Sequence, residues 1–193
     1  MPPTDKTTPM TEFRTVKSSQ IILKELMIPS YSNFGGKVHG GIILSLMDKI
    51  AYTAAASHSR NYCVTASVDS VNFVNSVEVG ELVTLMASVN YVGRSSMEVG
   101  IKVYSEDFKL GVNKHTNTSY FTMVAIDEET RQPVAVPGLI LEEDIEVRRF
   151  IWGKFRKQFK AEYRHKFQTL HQDLDIATET GNLTGENCQI ALP

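Results

Sequence analysis

From Val83 onward the chain alternates residue by residue. Val83, Leu85, Ala87, Val89 and Tyr91 trade places with Thr84, Met86, Ser88 and Asn90, and after the turn Gly93-Arg94-Ser95 the pattern resumes in Met97, Val99, Ile101 and Val103. A period of two sends successive side chains to opposite faces, so these segments predict long strands with one face on a core. Tyr120, Thr122, Val124 and Ile126 form a last run, with Phe121, Met123 and Ala125 on its other face. Upstream, Cys63–Phe73 is β-rich, and Gln20–Met27 reads as a first strand stopped by Pro29. One long segment has the other period. Between His39 and Ser57 the residues Ile42, Ile43, Leu46, Met47, Ile50, Ala51, Ala54 and Ala55 recur at helical spacing, and Ala51, Ala54, Ala55 and Ala56 permit close approach to a sheet. One long helix followed by long antiparallel strands predicts an α+β fold, a curved sheet wrapped around a central helix.

The helix is entered through a polar, glycine-rich loop. Asn33, Gly35, Gly36, His39, Gly40 and Gly41 lead directly into it, and Asp48 follows two turns in, among Ile, Leu, Met and Ala. Glycine lets a ligand come close to the backbone, and a helix start offers unpaired N–H groups at the positive end of a dipole, a combination that holds a polarised carbonyl oxygen. A carboxylate in apolar company is costly unless it is paired or working. The chemistry is therefore expected here.

The rest of the chain sets limits. A net charge of −2 over 193 residues gives no basic excess for nucleic acid, and no segment approaches a membrane span. The N-terminus lacks the apolar stretch of a signal peptide. Cys63 and Cys188 suggest neither a zinc spacing nor a disulfide framework, and the five His form no ligand cluster. A reducing cytoplasm, no metal and no resident cofactor are the expectation. The chain divides into a flexible arm (1–14), one core domain (15–138), a basic amphipathic helix (139–172) and a polar tail (173–193). In that helix Ile151, Phe155, Phe159, Tyr163 and Phe167 recur every fourth residue and form a stripe among Lys and Arg. The stripe is expected to pack on the domain or on a neighbouring subunit rather than on a membrane.

Four blocks carry a resemblance: Asn33-x-x-Gly36-x-x-x-Gly40-Gly41 running to Met47-Asp48; Val68-Asp69; Gly93-Arg94-Ser95-Ser96-Met97-Glu98-Val99; and Phe121-x-x-Val124-Ala125-Ile126-Asp127. In this order and spacing they resemble the hotdog-fold acyl-CoA thioesterases, the group with the YciA-type and brain-type cytosolic hydrolases. The likeness spans Ser18 to Pro137. It implies a hotdog domain over 15–138 with a C-terminal helical extension, hydrolysis of acyl-CoA, Asp48 as general base or nucleophile, and Asn33 orienting water or thioester. The backbone N–H of Gly41, with Gly40 beside it, would stabilise the oxyanion, and His39 would be a wall of the pocket. It also implies a homodimer whose sites form between subunits, with three dimers in a hexamer. Coenzyme A carries phosphates, so Arg60, the hairpin residues Arg94, Ser95 and Ser96, and Lys114-His115 are candidates for its entrance. Asp69 is expected to be structural. The rivals are a hotdog dehydratase, for which His39 and His58 stand too far from Asp48 in sequence, and a non-catalytic acyl-CoA binder.

Overall fold

The computed structural model describes residues 12–172 and 174–191. These elements follow in order: β1 Phe13–Thr15, β2 Ile21–Leu26, α1 Gly40–Ser59, β3 Tyr62–Val68, β4 Leu82–Val92, β5 Ser96–Asp107, β6 Val112–Ile126, β7 Gly138–Ile140, α2 Asp144–Gln172 and α3 Ile176–Gly181. The chain divides into two units, residues 1–153 and 154–193.

In the first unit five strands make one antiparallel sheet in the order β2-β4-β5-β6-β3, curved around α1. The helix buries Ile43, Leu46, Met47, Ile50, Ala51, Ala54 and Ala55 against Val83, Leu85, Val89, Met97, Val99, Ile101, Val103, Phe121, Met123 and Ala125. These are the periodic positions of the sequence, and their removal from water is the main stabilising term. The predicted α+β architecture is thus the observed one, and the chain has the hotdog fold.

Three expectations are corrected. The alternation of β4 does not run unbroken to Tyr91. A register shift at Asn90 pairs Tyr91 with Glu98 and Val92 with Met97, so Val92 turns inward, while Tyr91 packs its ring 5.0 Å from that of Phe150. An extra residue in one strand exchanges the faces beyond it. The β-rich stretch Cys63–Phe73 is a strand only as far as Val68. Finally, part of the predicted arm belongs to the core. Residues 1–11 lie outside the described range, but Phe13, Arg14 and Thr15 pair in parallel with Gly138, Leu139 and Ile140, so both expected domain boundaries cut through one small sheet.

His58 ties that sheet to the helix. It is fully buried, its Nε2–H donates to Pro137 O at 2.9 Å, and Arg14 Nη1 donates to His58 O at 2.9 Å. Burial holds the imidazole pKa below its ordinary value, and Nδ1 has no partner among the described residues. The folded ring is therefore neutral, whereas the unfolded ring takes a proton near its ordinary pKa of about 6.5. Below that value the unfolded state binds more protons, so the contribution is complete above it and is lost as pH falls through it. Thermal unfolding should drop in midpoint between about pH 7.5 and 5.5, with a slope of at most about 1.4 kcal/mol per pH unit from this ring. His58→Gln should flatten that slope, and an unchanged slope would remove His58 as its source.

The start of α2 belongs to the same unit. The buried Glu146 carboxylate accepts from Glu142 N at 2.7 Å and braces the first turn. In the second unit α2 continues from Lys154, and α3 is capped by Asp175, whose Oδ1 accepts from Ala177 N at 3.2 Å. The polar tail therefore contains a short helix. Phe155, Phe159, Tyr163 and Phe167, with Ile151 before them, are between 41% and 69% exposed, so the stripe is not buried within this chain. No helix of the described residues is long and apolar enough to cross a membrane.

Candidate active site

Asp48 lies between the buried positions Met47 and Ile50, at the margin of the apolar face of α1, and is exposed. It is not enclosed by apolar neighbours as its sequence context suggested. Its Oδ1 accepts from Thr65 Oγ1 at 2.6 Å, and the same hydroxyl lies 3.5 Å from Met123 Sδ. Thr65 sits beside a register shift of β3 against β6, where Thr65 faces Met123 but Ser67 faces Thr122. Such a bulge bends the strand and re-aims a side chain. Asp48, Tyr52, Tyr62, Thr65 and Met123 line an open pocket of about 540 Å³. Because β3 ends the sheet order, this pocket borders a strand edge without a neighbour among the described residues. Sequence reasoning passed over Thr65, since a β-branched residue in a strand is ordinary.

The other half of the site is the entry to α1. Asn33 Oδ1 accepts from Gly35 N at 2.9 Å and Lys37 N at 3.1 Å, which folds the loop on itself. Among the described residues the Asn33 amide nitrogen donates to no acceptor. His39 is the N-cap of α1, and its Nδ1 accepts from Gly41 N at 2.8 Å. The donor expected for an oxyanion is thus occupied by a side chain, because a helix start satisfies its orphan N–H groups wherever an acceptor reaches them. A Cβ on Gly41 would lie 2.9 Å from that imidazole nitrogen, so glycine is what admits the cap. The Gly40 N–H has no acceptor among the described residues, and the exposed Phe73 ring stands beside it.

Helix geometry separates the two halves. Gly41 and Asp48 are about 10 Å apart along α1, and Arg60, its left-handed C-cap, is about 28 Å from Gly41. One thioester carbonyl does not reach both Gly41 and Asp48 of the same chain. Arg94, Ser95 and Ser96 form the β4–β5 turn, where Arg94 O accepts from Val136 N and Ser95 O from Ala125 N. Val64, Val124 and Ser96 stand in one cross-strand row, so this turn lies toward the Asp48 pocket, which Val64 lines, and not toward the Asn33 loop. Lys114 is held by the buried Glu81 carboxylate at 2.7 Å, and His115 Nε2 lies 2.8 Å from Thr118 Oγ1. Both side chains thus already have a partner within the chain. Among the described residues no His, Cys, Asp or Glu cluster could hold a metal.

Residues 35–112 match the model of the Thioesterase superfamily. Protein VdlD of Helicobacter pylori is 40% identical over 76% of this chain and 83% of its own length. The uncharacterized acyl-CoA thioester hydrolase YkhA of Bacillus subtilis is 37% identical over 70% of this chain and 78% of its own. An apo-hexameric acyl-CoA thioesterase superposes with a TM-score of 0.76 at 34% identity, covering 79% of this chain and 97% of that one. The acyl-CoA hydrolase of Staphylococcus aureus, solved with butyryl coenzyme A, coenzyme A and coenzyme A disulfide, gives 0.73 at 30% identity over 83% and 98%. That enzyme has also been solved with an asparagine, an aspartate or a threonine replaced by alanine, at positions spaced as Asn33, Asp48 and Thr65 are spaced here. By its sequence and its fold, this chain belongs to the family of hotdog acyl-CoA thioesterases.

Proposed function

We propose that this chain hydrolyses acyl-CoA thioesters to free fatty acid and coenzyme A at a site composed by two subunits. Asp48 and Thr65 of one chain face the partner's Asn33 and α1 N-terminus. The observation that carries this reading is the Asp48 carboxylate, fixed by Thr65 at 2.6 Å in an open pocket beside the unpaired edge of β3. Pairing of two such edges brings a second α1 entry to the first Asp48, which one chain by itself cannot do.

The chemistry follows from the lone pairs. Thr65 engages Oδ1, leaving Oδ2 of Asp48 to act. As general base, Oδ2 takes a proton from water while the water oxygen adds to the thioester carbon; the C–S bond then breaks, and the thiolate recovers that proton. As nucleophile, Oδ2 attacks the carbon directly, expels the thiolate and leaves an anhydride for water to open. Single turnover in heavy-oxygen water identifies the anhydride route if the Asp48 carboxylate gains label, which requires water to open the anhydride at the aspartyl carbonyl; the general-base route places label only in the fatty acid. In both, the developing oxyanion takes the Gly40 N–H, and the Gly41 N–H once it displaces His39 Nδ1. The Asn33 amide nitrogen orients the water or the thioester, and Arg94, Ser95, Ser96 and Arg60 receive the coenzyme A end. No metal or further cofactor enters the scheme, and the free thiols Cys63 and Cys188 suit a reducing cytosol.

Thiol release from acyl-CoAs of graded chain length tests the reaction. Turnover by a folded oligomer supports it; acyl-CoA binding without any thiol release would leave a binding protein. The hexameric neighbours support an assembly of six chains; we read it as three dimers, with the exposed α2 stripe in a contact between subunits and not on lipid. Light scattering should give the mass of six chains, and a monomer that still turns over would end the composite site.

A further inference from the structure

Past Val68 the chain continues beside β6 without forming a further strand. Asp69 N donates to Tyr120 O and Val74 N to Thr116 O, both at 3.0 Å. Between and beyond these, side-chain amides replace the ladder: Asn117 Nδ2 donates to Asn72 O and Asn75 Nδ2 to His115 O, each at 2.8 Å. Thr116 and Asn117 are fully buried in β6. The backbone is therefore pinned on both sides of Phe73, at Asn72 O and at Val74 N. The same segment meets the entry to α1, where Val38 N donates to Val77 O at 2.9 Å and Lys37 bridges to Glu78.

On this pinned backbone the Phe73 ring stays out of the core and is 43% exposed. It stands at the start of α1: a Cβ on Gly40 would lie 3.4 Å from Phe73 Cε2 and 3.6 Å from Cζ. The ring edge is thus within about 6 Å of the Gly40 nitrogen, and a carbonyl oxygen accepting from that N–H sits about 2.9 Å from it. Val74, and Phe34 on the Asn33 loop, are exposed as well, so both segments that meet at the helix start present apolar surface. In the proposed site the coenzyme A end runs to the Arg94 turn, which lies toward Asp48 and away from the Asn33 loop. The acyl end then leaves the carbonyl on the loop side, where the Phe73 ring of the same subunit as that Gly40 stands.

We infer that Phe73 is a specificity-determining residue: its ring receives the first methylenes beyond the thioester carbonyl and favours acyl chains of several carbons over acetyl. This rests on the proposed hydrolysis at the composite site. A phenyl ring carries no proton to give or take, so what it offers a bound thioester is apolar contact, and that contact grows with the carbons laid on it. Because its backbone is held before substrate arrives, little ordering opposes the contact.

Titration calorimetry of the full chain carrying Asp48→Asn, in which turnover should be absent, tests this through the Kd values of acetyl-CoA and hexanoyl-CoA. Hexanoyl-CoA should bind the tighter of the two. Adding Phe73→Ala should weaken hexanoyl-CoA by about tenfold more than it weakens acetyl-CoA, and Phe73→Leu, which keeps an apolar contact, should restore most of that difference. With Asp48 intact, Phe73→Ala should lower kcat/KM for hexanoyl-CoA relative to acetyl-CoA by a similar factor, at an unchanged unfolding midpoint. The inference is overturned if Phe73→Ala weakens both ligands alike, since the ring then only covers the helix start, or if it changes neither. It is equally overturned if Phe73→Ala tightens hexanoyl-CoA, the ring then being a wall that limits the chain. A wild type that releases no thiol would fail the hydrolysis reading alone, because the two Kd values are read without turnover.

Discussion

Asp48→Ala should reduce kcat for every acyl-CoA by about a hundred- to ten-thousandfold, the range that a positioned acid–base group contributes. The loss belongs in kcat, because the pocket walls Tyr52, Tyr62 and Met123 and the coenzyme A contacts are untouched. The side chain is exposed in the single chain, and its one hydrogen-bond partner among the described residues is the Thr65 hydroxyl, so the fold should scarcely notice. Surface changes of this kind usually stay within about 0.5 kcal/mol. Asp48→Asn is the sharper variant, since it keeps the acceptor for Thr65 and removes only the charge and basicity. An unchanged unfolding midpoint with kcat near zero supports the assignment. A mutant that keeps more than a tenth of wild-type turnover would sink it.

The second large effect is at Asn33, where two roles must be separated. Its Oδ1 holds the loop through Gly35 N and Lys37 N, while its amide nitrogen is free among the described residues. Alanine removes both and should cost about a hundred- to a thousandfold, as loss of a positioning donor does. Asn33→Asp retains the oxygen that pins the loop and loses only the donor. If the donor does the positioning, aspartate should be as impaired as alanine, with normal thermal stability. Recovery of turnover in Asn33→Asp would make Asn33 a turn residue and nothing more.

Much of the fold was legible because it rests on periodicity. Ile43, Leu46, Met47, Ile50 and Ala51 repeat at the helical period and are the buried face of α1, and Met97, Val99, Ile101 and Val103 repeat every second residue and face it. What escaped has no period. The bulge at Asn90, which exchanges the faces of Tyr91 and Val92, is one inserted residue. The β1–β7 pair is three residues long on each side, too short for alternation to register, and its clamp at His58 reads in sequence as one more residue of the helix. The site divides likewise. Asp48 was conspicuous as an acid among apolar neighbours, whereas Thr65 was ordinary in a strand and is set beside Asp48 only by tertiary structure. That His39 would take the Gly41 N–H depended on a rotamer at the cap.

The claim on which the rest depends is that Asp48 of one subunit works with the partner's Asn33. The direct measurement is subunit complementation: Asn33→Ala and Asp48→Ala chains are unfolded, mixed equally, refolded, and assayed for thiol release. In a two-fold dimer of one chain of each kind, one site carries both lesions and the other carries neither. Random pairing should therefore restore about a quarter of wild-type turnover, from two preparations that are each nearly inactive. A mixture that reassembles with the correct mass and stays as inactive as its parents would contradict the account, because both residues would then serve a site within one chain.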